Sequence, residues 1–314
     1  MHSLTIATRS SPLAIWQAKE VASLLEKAGF STELYSLETQ GDKKLDVSLS
    51  KIGEKGLFTQ ELEDLLLSGS AHLAVHSAKD MPSSLPEGLD LIAFSERENP
   101  CDVLVSMNPD LRISDSGIRI GTSSTRRVSM LKRYYPEAIP VTIRGNLQTR
   151  FRKMEEGQCD AMLLAWAGVH RMGFSHLVTE KLTTSVFTPA AGQGSLAIEV
   201  SDSLPSEIRE GIRAAINHSS SELALLAERA FLRKMEGGCS VPVFVLAELK
   251  GSILNIMGGV VSLDGVHEIR LEDSVEILPD AQRELAINLG ERLGTSVLAS
   301  GGSSILQKIK SNCD

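Results

Sequence analysis

The sequence predicts an α/β protein of two lobes, each with a doubly wound sheet, followed by a smaller α+β C-terminal domain. Three observations carry that expectation. The 314 residues exceed what one hydrophobic core usually organises. Up to about residue 216, apolar stretches of strand length alternate with stretches of helical period, in two successive sets. From about Ser219 the pattern changes to one long helix, a run of strands and a last helix. The expected boundaries are 1–96 with 196–216 for the first lobe, 97–195 for the second and 217–314 for the C-terminal domain.

In the first set a strand at Leu4–Thr8 leads into a helix at Pro12–Ala28 and a strand at Thr32–Leu37. Ser11 can cap that helix, Pro12 suits its first turn and Gly29 can end it. Helical spacing returns over Leu57–Leu67, through Phe58, Leu62, Leu65 and Leu66, and His72–His76 forms a short apolar strand. In the second set, strands at Val103–Ser106, Arg119–Gly121, Val141–Ile143 and Ala161–Leu164 interleave with helices around Val128–Arg133 and Leu147–Glu155. A strand at Leu196–Val200 follows Gly192 and Gly194. These read as parallel-sheet units, whose ligands commonly bind in a cleft between lobes. The C-terminal domain reads as a helix from Ser219 to Met235, strands at Val243–Leu249, Ile253–Ser262 and Glu268–Glu272, and a helix over Ala281–Arg292.

Composition narrows the class. With 42% hydrophobic and 23% charged residues the chain reads as globular and soluble. No apolar run approaches the roughly 18 residues of a membrane span, and the first strand begins without a signal-peptide core, so a cytoplasmic location is expected. A net charge of −8 argues against generic nucleic-acid binding. The four cysteines, Cys101, Cys159, Cys239 and Cys313, form no Cys-x-x-Cys pair, which points to free thiols rather than disulfides or zinc. His72 and His76 have helix-type metal spacing, but in a strand they read as structural, and no metal is expected.

Positive charge is concentrated in loops. Gly121-Thr122-Ser123-Ser124-Thr125-Arg126-Arg127 follows a strand and opens a helix, where backbone N–H groups, hydroxyls and two guanidinium groups can converge on an anion. Arg144-Gly145-Asn146-Leu147-Gln148-Thr149-Arg150 repeats that logic. Arg9 precedes Ser10 and Ser11 at another strand-to-helix junction, and Arg171 ends a short helix after Ala165. Any one arginine alone reads as a solvated surface charge; their joint placement beside Gly, Ser and Thr fits a ligand with several carboxylates. A phosphate ligand is the alternative, but the chain has neither a P-loop nor a Gly-x-Gly-x-x-Gly fingerprint, so several carboxylates fit better. Asp80, in Ser77-Ala78-Lys79-Asp80, falls at a sheet's C-terminal edge, where a carboxylate beside Lys79 can stabilise a cation or simply close a turn. Lys51 and Lys55 lie in a Gly-rich loop that reads as a cover or as ordinary solvated chain. Cys239 follows Gly237 and Gly238, which leave its thiol accessible as a nucleophile or an attachment point, or as a small filler of the turn.

Ile6-Ala7-Thr8-Arg9-Ser10-Ser11-Pro12-Leu13-Ala14, Lys55 to Phe58, Val75-His76-Ser77-Ala78-Lys79-Asp80, Gly121 to Arg127, Arg144 to Arg150, Gly192-Gln193-Gly194 and Glu236 to Pro242 stand in the order and spacing of the porphobilinogen deaminases, also called hydroxymethylbilane synthases. The chain resembles that family over essentially its whole length. The resemblance implies two lobes similar to those of periplasmic binding proteins, with the chain crossing between them twice, and a monomeric transferase. It implies a dipyrromethane cofactor joined by a thioether to Cys239. On it four porphobilinogen molecules are added head to tail, with loss of four ammonia, to give hydroxymethylbilane for porphyrin and haem biosynthesis.

The resemblance also implies roles. Asp80 is the catalytic carboxylate, hydrogen-bonding pyrrole N–H groups and stabilising the cation left when ammonia departs. Ser11, Lys79, Asp80, Thr122, Ser124, Arg126, Arg127, Arg144 and Gly145 contact the cofactor. Arg9, Ser11, Ser77, Arg144, Asn146, Arg150, Arg171 and Gln193 contact substrate, and Lys51 and Lys55 belong to the lid. Three residues depart from the family pattern: Glu54 in the lid, Thr125 before the arginine pair, and the bulky Phe244. Two rivals stand beside this reading. A non-catalytic organic-anion binding module would share the arginine-lined cleft. Acyl transfer by Cys239 lacks a histidine nearby in sequence.

Overall fold

A computed structural model describes residues 3–39, 59–236 and 241–311. Lys51, Glu54, Lys55, Cys239 and Cys313 lie outside these residues. The described chain runs β1 (Ser3–Arg9), α1 (Pro12–Lys27), β2 (Ser31–Leu37), α2 (Gln60–Leu67), β3 (Leu73–Ser77), β4 (Leu89–Phe94) and β5 (Asp102–Val105). It continues with β6 (Arg119–Gly121), α3 (Thr125–Tyr134), β7 (Ile139–Val141), α4 (Leu147–Glu155), β8 (Ala161–Ala165), α5 (Trp166–Arg171), β9 (Val178–Lys181) and β10 (Leu196–Ser201). It ends with α6 (Ser206–Ile216), α7 (Ser219–Lys234), the strands β11 (Val243–Lys250), β12 (Ile253–Val261) and β13 (Glu268–Glu276), α8 (Gln282–Val297) and α9 (Ser303–Ser311). The described residues fall into two compact units, one holding 3–39, 59–98 and 194–222, the other 99–193, 223–236 and 241–311.

The first unit is built on a sheet of order β2-β1-β3-β10-β4. α1 starts where the sequence places it: Pro12 leads, and the Ser11 hydroxyl accepts the Ala14 N–H at 3.4 Å. Its buried stripe, Ala18, Val21, Ala22 and Leu25, packs with Ile212 and Ile216 of α6 against Leu4, Ile6, Leu73, Val75 and Ile198 of the sheet. On the other face Leu62 and Leu66 of α2 meet Ala7 and Ala74.

The second unit carries a sheet of order β7-β6-β8-β5-β9, the same arrangement in a second copy. In each sheet the first three strands are parallel and the fourth, β10 or β5, is antiparallel to both neighbours. The wholly parallel reading is thereby corrected to mixed sheets. β5 and β10 are the first strands formed after the chain passes from one unit to the other. No β-α crossover precedes them within their sheet, so the handedness rule that makes neighbours parallel does not act on them. The outgoing and returning segments meet where the Glu98 N–H donates to the Gly194 carbonyl at 3.2 Å. Gly194 has φ +99°, and a Cβ there would stand 2.3 Å from the Glu98 carbonyl oxygen, so only glycine fits.

The C-terminal part is the expected smaller α+β region: an antiparallel meander β11-β12-β13 with helices packed on it. Ala227 and Phe231 of α7 and Leu289, Leu293 and Val297 of α8 share a core with Val245 and Ile256. Phe244, the residue bulkier than the family pattern, is fully buried and joins Ile120, Leu163 and Phe187 of the second lobe in one apolar cluster. Its ring has room because position 259 is glycine; a Cβ there would lie 2.7 Å from the ring.

Candidate functional site

In the first unit β1 and β3 are parallel neighbours, so the turns that follow them leave the same edge of the sheet. There a cleft of about 60 Å³ is lined by Arg9, Ser11, Gln17, Thr59, His76, Ser77 and Asp80, among others. Asp80 ends a single 3₁₀ turn, Ala78–Asp80, and is exposed, while Lys79 before it is half-buried. Ser77 accepts a hydrogen bond from Gln17 Nε2 at 2.8 Å, which fixes the start of that turn against α1. His72, the other half of the histidine pair, is structural: its Nδ1 accepts the Thr5 N–H at 3.0 Å.

In the second unit β6, β7 and β8 are parallel, so the three loops leading to α3, α4 and α5 share one sheet edge. Thr122, Ser124 and Thr125 open α3; Ser124 accepts the Arg127 N–H at 3.4 Å as N-cap. Asn146 caps α4 by accepting the Thr149 N–H at 2.9 Å. Gly145 takes φ +119°, and its carbonyl accepts from Arg150 Nε at 2.8 Å. The Arg144 carbonyl accepts from Lys153 at 3.2 Å. Arg171 is the half-buried last residue of α5.

Arg126 and Arg127 are not surface charges. Both are buried and grip one carboxylate: Arg126 Nη2 donates to Asp102 Oδ2 and Arg127 Nη2 to Oδ1, each at 2.7 Å. Their Nη1 groups donate to the carbonyls of Thr188 (2.8 Å) and Leu163 (2.9 Å). Gln193 donates to Asp102 at 2.9 Å and to the Pro100 carbonyl at 2.6 Å, so its amide nitrogen serves this internal network. Burial alone would raise the Asp102 carboxyl. The charges of Arg126 and Arg127, with hydrogen bonds from Arg127 and Gln193, outweigh it and hold the group well below the usual carboxylate range. Nε of each arginine is buried without a hydrogen-bond partner.

Residues 4–208 match the family model described as "Porphobilinogen deaminase, dipyromethane cofactor binding domain", and 223–298 match its C-terminal domain. A porphobilinogen deaminase from Desulfosudis oleivorans is 48% identical over 309 residues, 98% of each chain. The chain belongs to the porphobilinogen deaminase family. A deaminase from Cytophaga hutchinsonii is 50% identical over 309 residues, 98% of this chain and 97% of that one.

Within this deaminase framework the sequence reading missed Asp102, Gln17, Thr59 and Glu199. Asp102 had a signal: it is an acid at the head of the apolar run Val103-Leu104-Val105, buried at 0% exposure. An unpaired acid at that position would be costly, so a buried cationic partner follows.

Proposed function

We infer that this chain is a hydroxymethylbilane synthase, a transferase of tetrapyrrole biosynthesis that joins four porphobilinogen molecules head to tail with release of ammonia. The observation that carries this is the cleft holding Asp80 with Arg9, Ser11 and Ser77, in a chain whose residues 4–208 match the cofactor-binding domain. A dipyrromethane brings carboxylates, and the second unit has donors that suit them. Two buried guanidinium groups face one carboxylate and keep two unpartnered Nε–H groups, a set with one uncompensated positive charge.

The cofactor supplies an anchored pyrrole primer, and in this proposal Cys239 holds it by a thioether. Arg126, Arg127, Arg144, Thr122, Ser124, Gly145, Lys79 and Ser11 would bind its carboxylates and pyrrole rings. Arg9, Arg150, Arg171, Ser77, Asn146 and Gln193 would orient incoming substrate, Gln193 by holding Asp102 in place, and Lys51 and Lys55 would cover it. Each porphobilinogen carries an acetate and a propionate, which guanidinium groups recognise bidentately. Asp80 then stabilises the cation left on the substrate as ammonia departs, and accepts the proton released when the new bond forms. A cytoplasmic, monomeric, metal-independent enzyme acting on no nucleic acid or membrane, divided at 1–96 with 196–216, 97–195 and 217–314, completes the reading. No described helix is long and apolar enough to cross a membrane.

Intact-protein mass spectrometry on chain expressed in cells that make porphobilinogen tests it. An excess mass of two linked pyrroles is expected, lost in Cys239→Ala. Asp80→Asn should keep the excess mass but lose most turnover, about 10²-fold or more. An unmodified wild-type chain that consumes no porphobilinogen would overturn the assignment in favour of an anion-binding module.

A further inference from the structure

Three ionisable side chains are buried on the sheet face that α2 covers, and the chemistry assigned to Asp80 leaves them without a task. His76 in β3 pairs across the ladder with Ala197, and Glu199 stands two residues further along β10, on the same face. His76 Nε2 and Glu199 Oε2 are 2.9 Å apart, with side chains 4% and 0% exposed. Glu63 of α2 is buried with them; burial first, then the Glu199 charge, raises its carboxyl, while His76 opposes the shift. Glu199 Oε1 is buried without a partner. Ala7, Leu62, Leu66 and Ala74 form an apolar cluster between α2 and that same sheet face. Apolar residues would fill that interface with less desolvation cost, so packing alone does not account for the cluster.

Position supplies the task. His76 lines the cleft that also holds Arg9, Thr59, Ser77 and Asp80, and the cleft's volume of about 60 Å³ admits water. With Nε2 engaged by Glu199, Nδ1 is the ring nitrogen left to exchange a proton through that cleft. We propose that His76, oriented by Glu199, takes from Asp80 the proton that each substrate addition releases.

The proposal rests on the synthase reading. Each addition starts from the substrate's ammonium form: its C–N bond breaks and ammonia leaves, the new C–C bond forms, and the proton on the attacking pyrrole carbon is released. Once the Asp80 carboxylate has taken the proton, its O–H bond breaks, the proton passes through cleft water to His76 Nδ1, and the carboxylate is restored. Glu199 meets the charge of the resulting imidazolium. Loss of that proton to solvent returns the neutral ring. The charged groups around His76 are Glu199, Asp80, Arg9 and Glu63. The Glu63 carboxyl, raised chiefly by burial, keeps its own proton to higher pH.

The test compares wild-type, His76→Ala, His76→Gln and Glu199→Gln holoenzymes, each checked by mass for its covalent cofactor. Both His76 variants are expected to lose about 10²-fold in kcat at little change in KM, with His76→Ala regaining tenfold or more in added imidazole. Glu199→Gln keeps the ring but removes the carboxylate that orients it and meets the charge of the imidazolium. It should lose about tenfold in kcat at little change in KM, and added imidazole should not restore it, because the His76 ring is still in place. A His76→Gln variant within threefold of wild type, a loss in His76→Ala that imidazole does not restore, or a Glu199→Gln kcat within twofold of wild type would each overturn the proposal. Failure of the synthase reading is distinct, since wild type itself would then carry no extra mass and turn over no porphobilinogen.

Discussion

Asp102 holds two guanidinium groups with one charge, so the buried trio keeps a net positive charge and two donors without protein partners. Asp102→Asn preserves volume but leaves both guanidinium groups without a counter-ion, which should destabilise the chain by about 3 kcal/mol in denaturant unfolding at neutral pH. The pH dependence follows from the lowered carboxyl. A depressed group contributes its full stabilisation above the unfolded carboxylate value of about 4 and loses it as pH falls below. Wild-type stability should therefore drop more steeply than that of Asp102→Asn between about pH 4 and pH 2. Parallel curves, with a neutral-pH difference under about 1 kcal/mol, would remove Asp102 from the account. The arginines were legible in the sequence because Gly, Ser and Thr beside a strand end are local signals. Their partner was not, since Arg126 and Asp102 are 24 positions apart, and His76 and Glu199 are 123 apart. Contacts at such separations are set by strand order, which no single segment encodes.

Elements with their own punctuation were legible to within a few residues. Ser11, Pro12 and Gly29 bound α1, and α4 occupies the expected Leu147–Glu155. α6 escaped notice because it starts after Pro205 without a side-chain cap and buries only Ile212 and Ile216. β5 and β10 were found as strands but not as antiparallel ones, because direction depends on how the chain passes between units. The Glu98–Gly194 contact fixes that passage, and it can be tested against a second glycine. Gly157 also has positive φ, at +76°, but nothing lies within 4 Å of a Cβ built there. Gly157→Ala should therefore show backbone strain alone, about 1 kcal/mol. Gly194→Ala adds a clash with main chain and should cost clearly more in urea unfolding. Equal losses at the two sites would mean that the crossing segments separate freely.

At the scale of the whole molecule, the second lobe and the C-terminal region hold together as one unit, and Phe244 explains how. It belongs to β11, yet its buried neighbours include Ile120 of β6 and Leu163 of β8. The Arg270 guanidinium lies 4.5 Å from its ring centroid and donates to the Ser185 and Val186 carbonyls and the Thr188 hydroxyl, so a C-terminal side chain fastens the lobe's own loop. Tyr134 of α3 reaches back to Glu268 of β13 at 2.6 Å. An aromatic residue here therefore carries the second lobe's core into the C-terminal sheet rather than crowding that sheet's own core. Phe244→Ala should cost about 3 to 5 kcal/mol. In hydrogen exchange the loss of protection should appear together in β11–β13 and in β6, β8 and α3, because a shared core opens as one cooperative body. The first unit's sheet, β1, β3 and β10, should keep its wild-type rates. Loss confined to β11–β13 would show that the C-terminal region unfolds alone and that the shared cluster is mere contact.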